Sequence, residues 1–183
     1  MQGLAIKQKK YTYQDYLKTP DDMRYELIEG DLIMTPAPYI RHQRISSNLF
    51  FKMRDFTSTN NLGEVFYAPC DVYLDDENVV QPDILFVSKE RLEIITEKNI
   101  QGAPDLVVEI VSEGNAYRDT IQKKRLYARF GVKEYWIVAP GEKMIEQYHL
   151  NKQGYQLIRT YYHEDHLISQ ELQDFTIELR EVF

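Results

Sequence analysis

Two short apolar runs each carry a carboxylate where a soluble chain has least use for one. Asp83 stands in Val79-Val80-Gln81-Pro82-Asp83-Ile84-Leu85-Phe86-Val87, and Glu109 in Pro104-Asp105-Leu106-Val107-Val108-Glu109-Ile110-Val111. Both runs are short, β-branched and fenced by proline, which predicts buried strands. A carboxylate inside such a strand must be desolvated, at a cost that only a cation or several hydrogen bonds offset. Two carboxylates about 4 Å apart repel by about 4 kcal/mol at an effective dielectric of about 20. A bound metal ion turns that repulsion into ligation. The pair therefore predicts a metal site between strands, and with it an enzyme.

The 183 residues fit a single domain, residues 1–183, and a hydrophobic content of 43% can fill its core. The lone Cys70 excludes an intramolecular disulfide and fits a reducing cytoplasm. No apolar run is long enough for a transmembrane helix, and the first residues lack the apolar stretch of a signal peptide. The expected location is cytoplasmic, with no membrane partner. A net charge of −7 argues against coating nucleic acid by bulk charge. It leaves room for a local basic face. Lys123, Lys124, Arg125 and Arg129 form one such cluster, and Arg41 with Arg44 a smaller one; both also read as solvated helix faces.

Along the chain, Thr12 predicts the cap of a short helix over 13–17. Residues 20–22 start a new turn. Residues 25–34 read as strand, tight turn at Gly30, strand. Ile45, Leu49, Met53 and Phe56 keep helical spacing, predicting a helix over 40–56 with one core-facing stripe. Extended segments follow through 62–74, then a turn at 75–78. A strand over 83–87, a variable connection over 89–102 and a strand over 106–111 come next. Residues 112–115 break that strand and lead to a helix over about 117–130, ended by Gly131 as a left-handed cap. A strand over 134–138, a hairpin of 144–150 with 155–161, and a last strand over 175–179 complete the order. The class is α/β: a mixed sheet flanked by helices, with additional C-terminal strands.

On the helix after Glu109, Asp119, Lys123 and Tyr127 are spaced four apart and share a face. If that face packs on the sheet, it looks toward the carboxylates. A metal-dependent phosphodiester hydrolase needs such parts: carboxylates for the ion, and a lysine to orient water or neutralise developing charge. Gly-rich phosphate loops and Ser-His-Asp spacing are absent. Asp105 opens its strand after a proline and reads as a group bonding backbone amides. His163 and His166 mimic a metal cluster but read as a polar turn. Tyr127 and Trp136 read as core more readily than as nucleobase platforms.

In this order the segments resemble the PD-(D/E)XK nuclease superfamily and, within it, the Uma-two family of restriction-endonuclease-like proteins. The matching stretches are Arg24-Tyr25-Glu26-Leu27-Ile28-Glu29-Gly30-Asp31-Leu32, His42 with Ile45 and Leu49, Gln81-Pro82-Asp83-Ile84, and the segment from Pro104 to Ser112. They continue with Asp119, Lys123, Tyr127, Gly131-Val132 and Glu134-Tyr135-Trp136-Ile137-Val138. The resemblance implies a restriction-endonuclease-like core and Mg²⁺- (or Mn²⁺-) dependent cleavage of nucleic-acid phosphodiesters, with DNA the expected substrate and a homodimer the expected assembly. It implies Asp83 and Glu109 as the metal-binding pair and Glu26 as an additional acid. The superfamily's usual lysine falls on Val111, which cannot serve, and the resemblance implies Lys123, at the family's position on the following helix, as its replacement. His42, Lys124, Arg125 and Tyr127 are the candidate substrate contacts. Two rivals remain: an inactive nucleic-acid-binding or assembly module, and a metal-dependent hydrolase of a small phosphorylated substrate.

Overall fold

The structure is a computed structural model that describes residues 10–20, 22–112 and 118–183. The predicted turn at residue 21, the break at 113–115, the helix start at 117 and the side chain of Asp119 lie outside the described residues.

The chain opens with α1 (Tyr13–Tyr16), where the Asp15 carboxylate reaches back to the Thr12 N–H and hydroxyl. The hairpin of β1 (Tyr25–Ile28) and β2 (Asp31–Met34) turns through Glu29 and Gly30, both at positive φ, 51° and 77°. That is the mirror-image turn that matches strand twist. Lys10 lies across it, so a Cβ at Gly30 would meet the Lys10 Cδ at 2.8 Å. Next, α2 (Ile40–Asn60) runs a turn longer than predicted and adds Thr57 to the buried stripe of Ile45, Leu49 and Met53. Asn61 ends it in the left-handed region.

Strands β3 (Gly63–Tyr67), β4 (Val72–Asp75), β5 (Asn78–Val80), β6 (Ile84–Ser88), β7 (Ile100–Gln101) and β8 (Leu106–Ile110) follow. A π-helical segment, Arg118–Lys123, runs into α3 (Lys124–Phe130), which Gly131 caps at φ 85°. Then come β9 (Glu134–Ala139), the hairpin of β10 (Met144–Asn151) and β11 (Gly154–Tyr162), and a small pair, β12 (His166–Ile168) and β13 (Thr176–Glu178).

The strands build two larger sheets rather than the one expected. A six-stranded sheet runs β11-β10-β9-β8-β6-β3, and a five-stranded sheet runs β2-β1-β5-β4-β7. In the first, β8 and β9 are parallel and joined by the helical crossover, while β6 lies antiparallel to β8. Alternation along β8 sorts its side chains. Leu106, Val108 and Ile110 pack with Trp136, Val138 and the α2 stripe. Val107 packs with Tyr135, Ile137 and the α3 residues Leu126 and Tyr127. Helices therefore cover both faces of the mixed sheet, as predicted, and the period of two sends Glu109 to the α3 side.

One strand prediction needs correction. The run from Val79 to Val87 is two strands in two different sheets, and Asp83 lies in the link before β6 rather than within a strand. Pro82 supplies the reason: it has no N–H for a ladder and holds Gln81 extended. The chain uses this break to cross from one sheet to the other.

Candidate active site

The site sits where the two sheets meet. Glu26 comes from β1, Asp83 from the link between β5 and β6, and Glu109 from β8. Lys123 ends the π-helical segment and Tyr127 stands one α-turn beyond it. The Lys123 ammonium is 2.8 Å from Glu26 Oε1 and 3.0 Å from Glu109 Oε1. The three side chains are nearly buried, at 2–4% exposure. Tyr127 donates its hydroxyl to Glu109 Oε1 at 2.6 Å, and the Gln81 N–H donates to Glu26 Oε1 at 2.9 Å. Burial, then the charges of Glu109 and Glu26, push the Tyr127 phenol well above its usual range.

Asp83 is fixed from two sides. Its Oδ2 accepts the Ile110 N–H at 2.8 Å and lies 3.1 Å from His42 Nε2, in the first turn of α2. In a neutral imidazole this contact puts the proton on Nε2, leaving Nδ1 an acceptor. His42 Nδ1 and Thr35 Oγ1 are the buried side-chain polar atoms without a hydrogen-bond partner among the described residues, and both residues line the same cleft.

That cleft has a volume of about 550 Å³. Glu26, Asp83, Glu109 and Lys123 line it, residues 35–39 form one wall and residues 139–142 another. β6 and β8 are neighbours with Ile84 opposite Val108, so Asp83 and Glu109 stand on adjacent stretches of chain and both line the cleft. The Lys123 ammonium faces Glu26 and Glu109. Three site residues behave differently. Tyr127 is fully buried and touches Glu109, so it is no surface contact for a substrate. Lys124 was expected to face solvent or nucleic acid. Its Nζ instead lies 3.3 Å from the centre of the Tyr148 ring, and this burial lowers its pKa. Arg125 is exposed but does not line the cleft. Conversely, Arg24 and Gln81 line it without having been assigned a role. Arg24 is two residues before Glu26, and that period-2 spacing was the available signal.

Two further buried acids, Asp105 and Glu134, are tied into the fold. Asp105 accepts the Ser88 N–H and pairs with Arg91 and Lys133. His163 and His166 pair separately with Glu164 and Glu178, as expected of a polar turn. Glu134, missed from the sequence, is fully buried. It takes hydrogen bonds from Trp136, Gln147, Ser169 and the backbone N–H groups of Gln170 and Glu171.

The residues suit a hard divalent cation. Among the described residues, no three His, Cys, Asp or Glu side chains converge into a metal cage. Mg²⁺ does not require one: it is usually held by one or two carboxylates, with waters and substrate phosphates completing its shell. Asp83 and Glu109 supply oxygen donors of that kind beside the cleft.

An α/β sandwich of helices on a mixed sheet, with acids and a lysine gathered at the meeting of two sheets, defines a restriction-endonuclease-like protein. The sequence profile of the Uma2 family, described as "Putative restriction endonuclease", matches residues 12–180, and the chain belongs to that family. No curated protein matches it. Among solved structures, a crystal structure described as "a putative nuclease belonging to DUF820 from Anabaena variabilis ATCC 29413" superposes with a TM-score of 0.78. The match is 18% identical and covers 94% of this chain and 97% of that one, so it shows a shared fold. Family membership supports a nuclease-like function. No helix among the described residues is long and apolar enough to cross a membrane.

Proposed function

We propose that this protein is a Mg²⁺-dependent (or Mn²⁺-dependent) endonuclease that hydrolyses phosphodiester bonds in DNA, working in the cytoplasm as a homodimer. The observation that carries the reading is the Lys123 ammonium held between Glu26 and Glu109 in the wall of the cleft. A lysine at that point restores what Val111 cannot supply. Asp83 and Glu109 would hold the ion, with Glu26 the additional acid. When bound, the ion polarises the phosphate and lowers the pKa of an attacking water.

The chain's own residues do the rest. Lys123 offsets the negative charge of the acids, so an anionic phosphate can approach them, and offers N–H donors near the reacting group. Tyr127 holds the Glu109 carboxylate in one orientation. The Ile110 N–H and His42 do the same for Asp83, which fixes which of its oxygens stays available.

Cleavage of plasmid DNA tests the reading. The wild type should nick it with Mg²⁺ or Mn²⁺ and not with EDTA. Asp83→Asn and Glu109→Gln should each lower the rate by at least about a hundredfold, the scale on which such electrostatic groups act. Equal cleavage by the wild type and both variants would exclude this site. A second reading, hydrolysis of a small phosphorylated substrate, is favoured by the cleft volume of about 550 Å³, within the usual range of small-molecule pockets. Activity on a phosphodiester such as bis-(p-nitrophenyl) phosphate, with DNA left intact, would select it.

A further inference from the structure

Arg24 lines the cleft, yet no carboxylate pairs with it among the described residues. Elsewhere cations such as Arg91, Lys133 and Arg129 are matched with acids. Arg24 is held by a neutral group instead: its Nε–H donates to Gln81 Oε1 at 3.2 Å. Gln81 is itself gripped. Its Nε2 donates to Asp71 Oδ1 at 2.7 Å and lies 3.3 Å from the Tyr16 hydroxyl, which also donates to Asp71 at 2.8 Å. A carboxylate can only accept, so the amide nitrogen must face Asp71 and the amide oxygen must face Arg24. The Gln81 backbone N–H meanwhile holds Glu26. One residue thus fixes both a site acid and a cation two positions before it, on the same face of the chain.

This arrangement orients a guanidinium without neutralising it. With Nε occupied, the two terminal nitrogens remain, a planar donor pair that matches two oxygens of a phosphate. Arg41, exposed in the first turn of α2 and also without a carboxylate partner among the described residues, adds positive charge to the same cleft. Among the described residues, four carboxylates line that cleft, Glu26, Asp83, Glu109 and Glu142, and the two arginines without acidic partners supply it with donors for an anionic ligand.

We propose that Arg24 anchors a phosphate group of the strand lying in the cleft, with Gln81 as its positioning residue. This deepens the nuclease reading and rests on it for the identity of the strand, though not for the phosphate itself. Binding is measured by fluorescence anisotropy of a short DNA duplex with metal withheld and salt varied. In parallel, inorganic pyrophosphate is titrated while the Arg24 Nε–H resonance is followed by NMR.

Arg24→Met should raise the DNA Kd about tenfold and reduce the salt slope by about one. Arg24→Lys should keep the slope but not the affinity, because the charge survives and the fork does not. Gln81→Leu should raise Kd less and keep the slope, since the charge remains but is no longer held. A general loss of structure would move none of these readouts selectively, and urea melts of each variant check that.

If the wild type cleaves DNA while Arg24→Met binds with the same Kd and slope, the anchor is wrong and the nuclease reading stands. If the wild type neither binds nor cleaves DNA, but pyrophosphate shifts the Arg24 resonance and Arg24→Met abolishes its binding, the anchor stands and the nuclease reading falls. A wild type that responds to neither probe overturns both.

Discussion

Lys123 decides the electrostatics of the site. Glu26 and Glu109 are each almost buried, and each would be expensive to ionise alone. One ammonium within 3.0 Å of both offsets part of their combined charge. Lys123→Met should therefore destabilise the metal-free protein by about 3–5 kcal/mol, the usual effect of removing one partner from a buried ion cluster. Mg²⁺ should recover more stability in this variant than in the wild type, since a bound cation would restore part of the lost attraction. Urea melts with and without Mg²⁺ check both statements, and a variant as stable as the wild type without metal would sink the first. At this scale the sequence was readable where chemistry and surroundings clash. Glu109 among valines was the hardest of these residues to explain structurally, and Lys123 on the next helix had the spacing to reach it. Arg24 showed only its period-2 spacing from Glu26, and the role of Gln81 was opaque because its partners Tyr16, Arg24 and Asp71 lie on other segments. Glu134 was opaque because its donors come from residues 136–171, a set that local pattern cannot assemble.

Elements set which of these side chains can meet. The predicted α-helix is replaced up to Lys123 by a π-helical segment, Arg118–Lys123. Lys123 and Tyr127 still converge, because α-helical geometry resumes between them. Nothing in the sequence marks this widening: hydrophobic periodicity does not separate a single π-turn from an α-turn over so few residues. The split of the Val79 to Val87 run had a visible cause in Pro82, but which strand joined which sheet depended on partners far along the chain. At the other end of β8, Asp105 ties together the end of β6, Arg91 and Lys133 before β9. Burial alone would raise its pKa. The hydrogen bonds from Lys133, Ser88 and Arg91 outweigh burial and hold it below the ordinary carboxylate value. A depressed folded-state pKa contributes stability that is complete above the unfolded value, about 3.9, and lost as pH falls through the lower folded one. The wild type should thus lose more stability below about pH 4 than Asp105→Asn, whose amide does not titrate. Denaturant midpoints across that range test the sign, and parallel curves for the two proteins would assign the acid sensitivity elsewhere.

At the scale of the whole molecule, β11 ends the six-stranded sheet and runs nine residues, and no strand among the described residues pairs with its outer side. A long flat edge of this kind is a template for pairing unless it is blunted by charge, proline or shortness. Proline is absent from β11, and Arg159 is its sole charged side chain. Leu157 and Ile158 stand 46% and 43% exposed at its centre, and Tyr162 is 58% exposed at its end. At the opposite edge β3 is five residues long and packs beside α2. A second copy laid antiparallel along β11 would bring the same residues of both chains together, as a two-fold interface requires. Such a dimer would answer a charge problem as well. A chain of net charge −7 gains little from bulk attraction to DNA, so two clefts acting on one duplex offer a gain in affinity through effective concentration that one cleft lacks. The homodimer proposed above should therefore depend on this strand. Sedimentation should give a dimer for the wild type, and Ile158→Lys should yield a monomer with an unchanged unfolding midpoint at low protein concentration. The monomer should still nick one strand but make double-strand breaks much more slowly. A wild type that sediments as a monomer at every concentration, or an Ile158→Lys protein that stays dimeric, would rule out β11 as the interface.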